Sequence, residues 1–251
     1  MAMLEIKNLT KKYGDKVAVD NLSLNVEAGD IYGFIGHNGA GKSTTIKAIC
    51  GIHSFEEGEI YIDGKSVKTD TIACKKITAY IPDNPDIYSY LTGRQYIKFV
   101  ADMFRVEKNQ RNKLIEKYST MFEMQGVLDD LISSYSHGMR QKTVIIASLI
   151  HSPKLLVMDE PFVGLDPSAT FLLKEVMTEL CNNGGAIFFS THVLEVAEKI
   201  CNKVAIIKGG KLLANGTMKE VKGEGSLEDK FLAIYGTKDL SDFDEDKKLG
   251  E

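Results

Sequence analysis

One stretch constrains this chain more than any other. Gly36-His37-Asn38-Gly39-Ala40-Gly41-Lys42-Ser43 meets the pattern G-x-x-x-x-G-K-[ST] at each fixed position. Residues 31–35 ahead of it read as a strand and residues 43–50 after it as a helix, the order that a phosphate cradle requires. Glycines let successive backbone N–H groups turn inward around phosphate oxygens, and the following helix presents its positive end to them. In such a cradle Lys42 holds the two outer phosphates and the Ser43 hydroxyl ligates Mg²⁺.

A cradle of this kind serves kinases, GTPases and motors alike, so a second constellation has to discriminate. Leu155-Leu156-Val157-Met158-Asp159-Glu160 is an apolar strand ending in two carboxylates, which emerge at the carboxyl edge of a parallel sheet beside the phosphate loop. Successive residues at a strand end take different directions. Asp159 is expected in the Mg²⁺ shell, and Glu160 beside an attacking water. That water needs a positioned proton acceptor, because phosphoryl transfer is mostly positioning and charge stabilisation.

The rest of the chain supplies the frame. Alternation over residues 4–9, β-branched residues over 17–26 and a short apolar segment at 59–62 predict an N-terminal antiparallel β-lobe. After Thr92, which forms a capping-box pattern with Gln95, Tyr96, Val100, Met103 and Phe104 recur at helical spacing. Leu114, Tyr118, Met121 and Phe122 mark a second helix, and residues 127–135 are expected to add a third. From Met139 helices and strands alternate, with buried parallel strands expected at 155–158, 186–189 and 204–207. Gly209-Gly210 signals a hairpin, residues 226–235 an amphipathic helix, and residues 237–251 an acidic tail.

Composition closes off other classes. With 43% apolar residues the 251-residue chain can bury a full core, and its four cysteines lie singly, without metal-site or redox spacing. A net charge of -4 on a mixed background gives no field for nucleic acid. No signal-peptide pattern opens the sequence, and no apolar run approaches the ~18 residues of a membrane span, so a membrane role must come through a partner.

Tyr135-Ser136-His137-Gly138-Met139-Arg140-Gln141-Lys142, shortly before the two acids, resembles the signature segment of the ABC ATPase family. With the phosphate loop, Asp159-Glu160, the Gly164-Leu165-Asp166 turn and Ser190-Thr191-His192, the resemblance covers nearly the whole chain in family order. It implies an α/β fold: a P-loop NTPase core with a parallel sheet, the antiparallel β-lobe and an inserted helical lobe at about 85–141, all within residues 1–236. It also implies an ATP-hydrolysing subunit of a transporter. Two copies, or this chain and a sibling, would face each other head to tail on the cytoplasmic face of an integral membrane permease. By match, residues Gly36 to Ser43 and Thr44 bind ATP, Tyr13 stacks on adenine, His192 contacts the γ-phosphate, and Ser136 with the Gly138 N–H binds the ATP held by the opposite subunit.

The family pattern is broken in places. Asp83 stands where the family usually has a Mg²⁺-sensing Gln, His137 replaces a glycine of the signature, Met139 replaces a glutamine and Val163 a small residue. Asp83 is a hard oxygen ligand of different reach and is counted with Ser43 and Asp159 as a metal residue. This pattern is similar to ATPase subunits of the exporter branch. Two rival readings stay open here: a soluble ABC ATPase outside transport, and a module that binds ATP without hydrolysing it. Intact Glu160 and His192 weigh against the second. His53 and His151 match no motif and are read as ordinary surface or core residues.

Overall fold

The computed structural model describes residues 2–236, so the expected acidic tail at 237–251 lies outside the described residues. The chain opens with two long antiparallel strands, β1 (Ala2–Tyr13) and β2 (Lys16–Glu27), followed by β3 (Ile31–Ile35) and, after the phosphate loop, helix α1 (Lys42–Ile49). Strand β4 (Glu57–Ile62) pairs with the free side of β1, and the short β5 (Lys65–Ser66) completes a four-stranded sheet in the order β2-β1-β4-β5.

A second, six-stranded sheet holds the chemistry. After α2 (Thr71–Ile77) and β6 (Thr78–Ile81) the chain leaves the sheet for α3 (Gly93–Met103), α4 (Lys108–Met121) and α5 (His137–Leu149). It returns as β7 (Leu155–Asp159), α6 (Pro167–Asn182), β8 (Ala186–Thr191), α7 (Leu194–Ile200), β9 (Lys203–Lys208) and the antiparallel β10 (Lys211–Thr217), and ends in α8 (Met218–Lys222) and α9 (Leu227–Tyr235). The spatial order is β10-β9-β3-β8-β7-β6. The five strands from β9 to the edge strand β6 are parallel. Each is apolar on both faces because both are covered. Alternate residues Tyr32, Phe34, Val157, Phe188 and Ile207 pack with Leu4, Ile6, Leu22 and Ile46 of the β-lobe side. Ile35, Leu156, Met158, Phe189 and Ile206 pack with the helices on the other side.

One segment departs from expectation. Residues 127–135 form no α-helix; two single 3₁₀ turns, Gln125–Val127 and Ile132–Ser134, stand there instead. The stretch satisfies its backbone by other means: Leu131 bridges to Thr92 as an extended residue, and the Tyr135 hydroxyl donates to the Val127 carbonyl at 2.6 Å. The segment 71–81, unassigned from sequence, is a short helix followed by an edge strand. The capping box at Thr92 and Gln95 forms as expected.

His151, two residues past the end of α5, stacks on Phe104 with ring centroids 3.7 Å apart. Burial pushes its pKa down to about 4, against the opposing pull of the Thr78 carbonyl. The unfolded chain therefore binds a proton that the folded one refuses between about pH 6.5 and 4, and stability present at neutral pH is lost as pH falls through that window, by roughly 3 kcal/mol at most. His151→Phe is expected to lose less thermal stability between pH 7 and 4.5 than wild type. Equal acid losses in melting curves would remove His151 as the cause.

Candidate functional site

Strand register assembles the site. In the parallel sheet Ile35 lies opposite Thr191, Asp159 opposite Ser190, and Ile81 opposite Met158. The residues that follow each strand therefore leave at one edge: the phosphate loop after β3, Glu160 after β7, His192 after β8, and Asp83 after β6. A cleft of about 340 Å³ opens there, lined by Tyr13, the loop residues His37, Asn38, Gly39, Gly41, Lys42, Ser43 and Thr44, and by Asp83, Asp159 and Glu160. Ala40 is buried behind the loop, and the Gly36 carbonyl holds Lys42 from below.

The loop is built to receive an anion. The first bond of α1 runs from Thr45 N–H to the Gly41 carbonyl at 3.0 Å, so the N–H groups of Lys42, Ser43 and Thr44 precede the helical ladder, and no side chain caps them. Gly41 has φ 110°, and a Cβ there would sit 2.6 Å from the Ala18 carbonyl. Only glycine lets the loop pass between β2 and the cleft. Lys42 is 6% exposed, and its ammonium donates to the Gly36 carbonyl at 2.7 Å and the His37 carbonyl at 3.4 Å.

Glu160 is the pivot of the site. It has φ 46°, in the left-handed region, which costs a non-glycine residue roughly 1–2 kcal/mol. The turn is held from several sides: its N–H donates to Ser190 Oγ at 3.1 Å, and its carboxylate lies 3.0 Å from His192 Nδ1 and 3.3 Å from Lys42 Nζ. Burial pushes the Glu160 carboxyl up, but the His192 hydrogen bond and the Lys42 charge outweigh it and hold the group below the usual carboxylate range. Asp159, almost fully buried, accepts from Ser190 Oγ at 2.5 Å. Asp83 is held above its ordinary range, first by partial desolvation and then by Asp159 and Glu160, so three carboxylates crowd one side of the cleft.

Of the expected site residues, Ser136 and Gly138 stand apart. Ser136 caps α5, its Oγ accepting from Met139 N–H at 3.2 Å, and neither residue lines the cleft. Tyr13 sits at the cleft mouth, 47% exposed, with Lys11 over its ring. Ser190, which orients both acids, was visible only as part of a motif. Gly209 and Gly210, a hairpin signal in the sequence, also belong to the site: Gly210 N–H donates to the Ala40 carbonyl at 2.9 Å, and both glycines line the cleft. A glycine pair following an apolar strand at the sheet's carboxyl edge was the available signal.

A parallel sheet with a glycine-lysine cradle and two acids at its carboxyl edge defines a P-loop nucleotide-binding protein. Residues 19–163 match the model of the ABC transporter family. The chain is 34% identical over 232 residues to the ABC-type transporter ATP-binding protein EcsA of Bacillus subtilis, covering 92% of this chain and 94% of that protein. It is 29% identical over 236 residues to the Nod factor export ATP-binding protein I of Burkholderia lata, covering 94% and 77%. A solved ATP binding subunit of an ABC transporter superimposes with a TM-score of 0.89 at 31% identity, over 92% of this chain and 99% of that one. This chain belongs to the ABC transporter family as an ATP-binding subunit, and it is an ATPase. Among the described residues, no helix is long and apolar enough to cross a membrane.

Proposed function

We propose that the chain is the motor of an exporter: one of two ATPase subunits, identical or sibling, that close head to tail on ATP beneath an integral membrane permease, on the cytoplasmic face. The observation that carries this reading is a division within one chain. Lys42, Asp159 and Glu160 share a cleft, while the Ser136 hydroxyl and the Gly138 backbone belong to a helix start outside it. A second subunit can bring its own Ser136 segment to this cleft and complete it. Export is supported by the relative named for Nod factor export and by the departures at Asp83, His137, Met139 and Val163.

The residues have separate tasks. Tyr13 offers its ring to adenine, and the N–H groups of the loop and of Lys42, Ser43 and Thr44 surround the phosphates. Lys42 is shared between the loop carbonyls and Glu160. A phosphate that takes the ammonium draws a cationic neighbour from Glu160, and the carboxylate becomes more basic. Its task is to accept the proton of the attacking water, and His192 keeps it oriented through Oε2.

Ser43, Asp159 and Asp83 fit a Mg²⁺ ion that takes its other ligands from phosphate and water. Among the described residues no group of three or more His, Cys, Asp or Glu could hold a metal alone, and the repulsion from Asp159 and Glu160 that adds to desolvation in raising Asp83 is what a divalent cation relieves. When bound, Mg²⁺ supplies charge neutralisation at the outer phosphates.

Purified from its own cells, the chain is expected to come with a multispanning membrane protein, in a complex that releases phosphate from ATP. An active ATPase that associates with no membrane protein would overturn the transporter reading. A membrane complex that binds ATP without releasing phosphate would overturn the motor.

A further inference from the structure

We propose that Tyr235, the last residue of α9, is a positioning residue for the phosphate loop, acting through His37 and Ile207. The inference rests on reading that loop as the ATP cradle. From sequence alone Tyr235 is simply the end of an amphipathic helix.

Its surroundings give it more to do. The Tyr235 side chain is buried, its ring stacked on Phe231 with centroids 4.2 Å apart. The ring meets the His37 imidazole edge-on, centroids 5.1 Å apart at 78°. Its hydroxyl donates to the Ile207 carbonyl. Lys208 Nζ lies 4.9 Å from the ring centroid and donates to the Tyr235 carbonyl at 3.2 Å.

Two of these contacts, those to His37 and Ile207, lead to the lysine anchor. The Ile207 carbonyl is the wall against which Gly36 packs, since a Cβ at Gly36 would lie 2.6 Å from that oxygen. Gly36 and His37 in turn contribute the two backbone carbonyls that receive Lys42 Nζ. Tyr235 thus reaches one of the lysine's carbonyl supports through an aromatic contact and the other through a hydrogen-bonded strand. A shift of α9 is transmitted to the position of the Lys42 ammonium. Aromatic pairs of this geometry are worth enough, beyond their buried area, to change an equilibrium by about two- to tenfold.

The test is a double-mutant cycle on ATP affinity in the full chain. Tyr235→Leu is expected to weaken ATP binding about fivefold. In a His37→Ala background the same change should cost clearly less, about twofold, because the aromatic contact is already gone and only the hydroxyl bond to Ile207 is left to lose. A helix residue that only stabilises the fold would lower the melting temperature while leaving the affinity of the folded fraction unaltered. That result, or additive effects at the two positions, overturns the proposal. If wild type itself fails to bind ATP, the nucleotide reading falls instead. Should Tyr235→Leu not fold, Tyr235→Phe removes only the hydroxyl. It is expected to speed amide hydrogen exchange at residues 36–38 severalfold while leaving residues 155–159 unchanged. Wild-type exchange in both segments counts against the proposal.

Discussion

Glu160→Gln is expected to leave ATP binding intact and to slow phosphate release by roughly two to four decades, the scale for losing a general base. The substitution keeps side-chain size, so an amide oxygen still accepts from His192, whose Nδ1 now lies 3.0 Å from the carboxylate. It removes the capacity to take a proton. It also removes the negative charge 3.3 Å from Lys42 Nζ, which frees the ammonium for phosphate, so affinity for ATP should be equal or higher. Binding without turnover should trap the closed pair, visible as an ATP-dependent dimer in light scattering. Single-turnover phosphate release decides the matter. A variant that hydrolyses ATP at the wild-type rate excludes Glu160 as the base and leaves its left-handed backbone without a catalytic reason.

The parts of this molecule legible from sequence are those where one physical constraint acts alone. A parallel strand buried on both faces must be apolar throughout, so β7, β8 and β9 were readable as short runs. A phosphate loop must have glycine where the backbone turns left-handed, and Gly39 and Gly41 have φ 78° and 110°. Where tertiary partners decide, the pattern was silent or misleading. Residues 127–135 carry apolar side chains at helical spacing but close on Tyr135 and Thr92. Ser190 orients two acids from the neighbouring strand, thirty residues along the chain from Glu160, and only the strand order brings them together. Tyr235 reaches His37 across nearly the whole sequence, which no local periodicity can encode.

Two inactive variants are expected to restore each other when mixed if, as proposed, Lys42 and Ser136 serve different nucleotides in a head-to-tail pair. Within one chain Lys42 lines the cleft, and Ser136 caps α5 outside it. Lys42→Ala deletes the charge on the outer phosphates. Ser136→Arg blocks the helix start that a partner's phosphate would meet. As homodimers both should be dead, since every site lacks one half. In a mixed pair one site collects both defects and the other is whole. With random exchange at equal amounts half the pairs are mixed, so up to about a quarter of wild-type sites should return. If one whole site cannot turn over, ATP-dependent pairing followed by crosslinking carries the same information, because a whole site can still hold nucleotide between two subunits. A subunit that used its own Ser136 on its own ATP would give no recovery in either assay, whatever the mixing ratio. That outcome, with mixed pairs demonstrated, would mean that the separation of Ser136 from the cleft reflects only the cap of a helix.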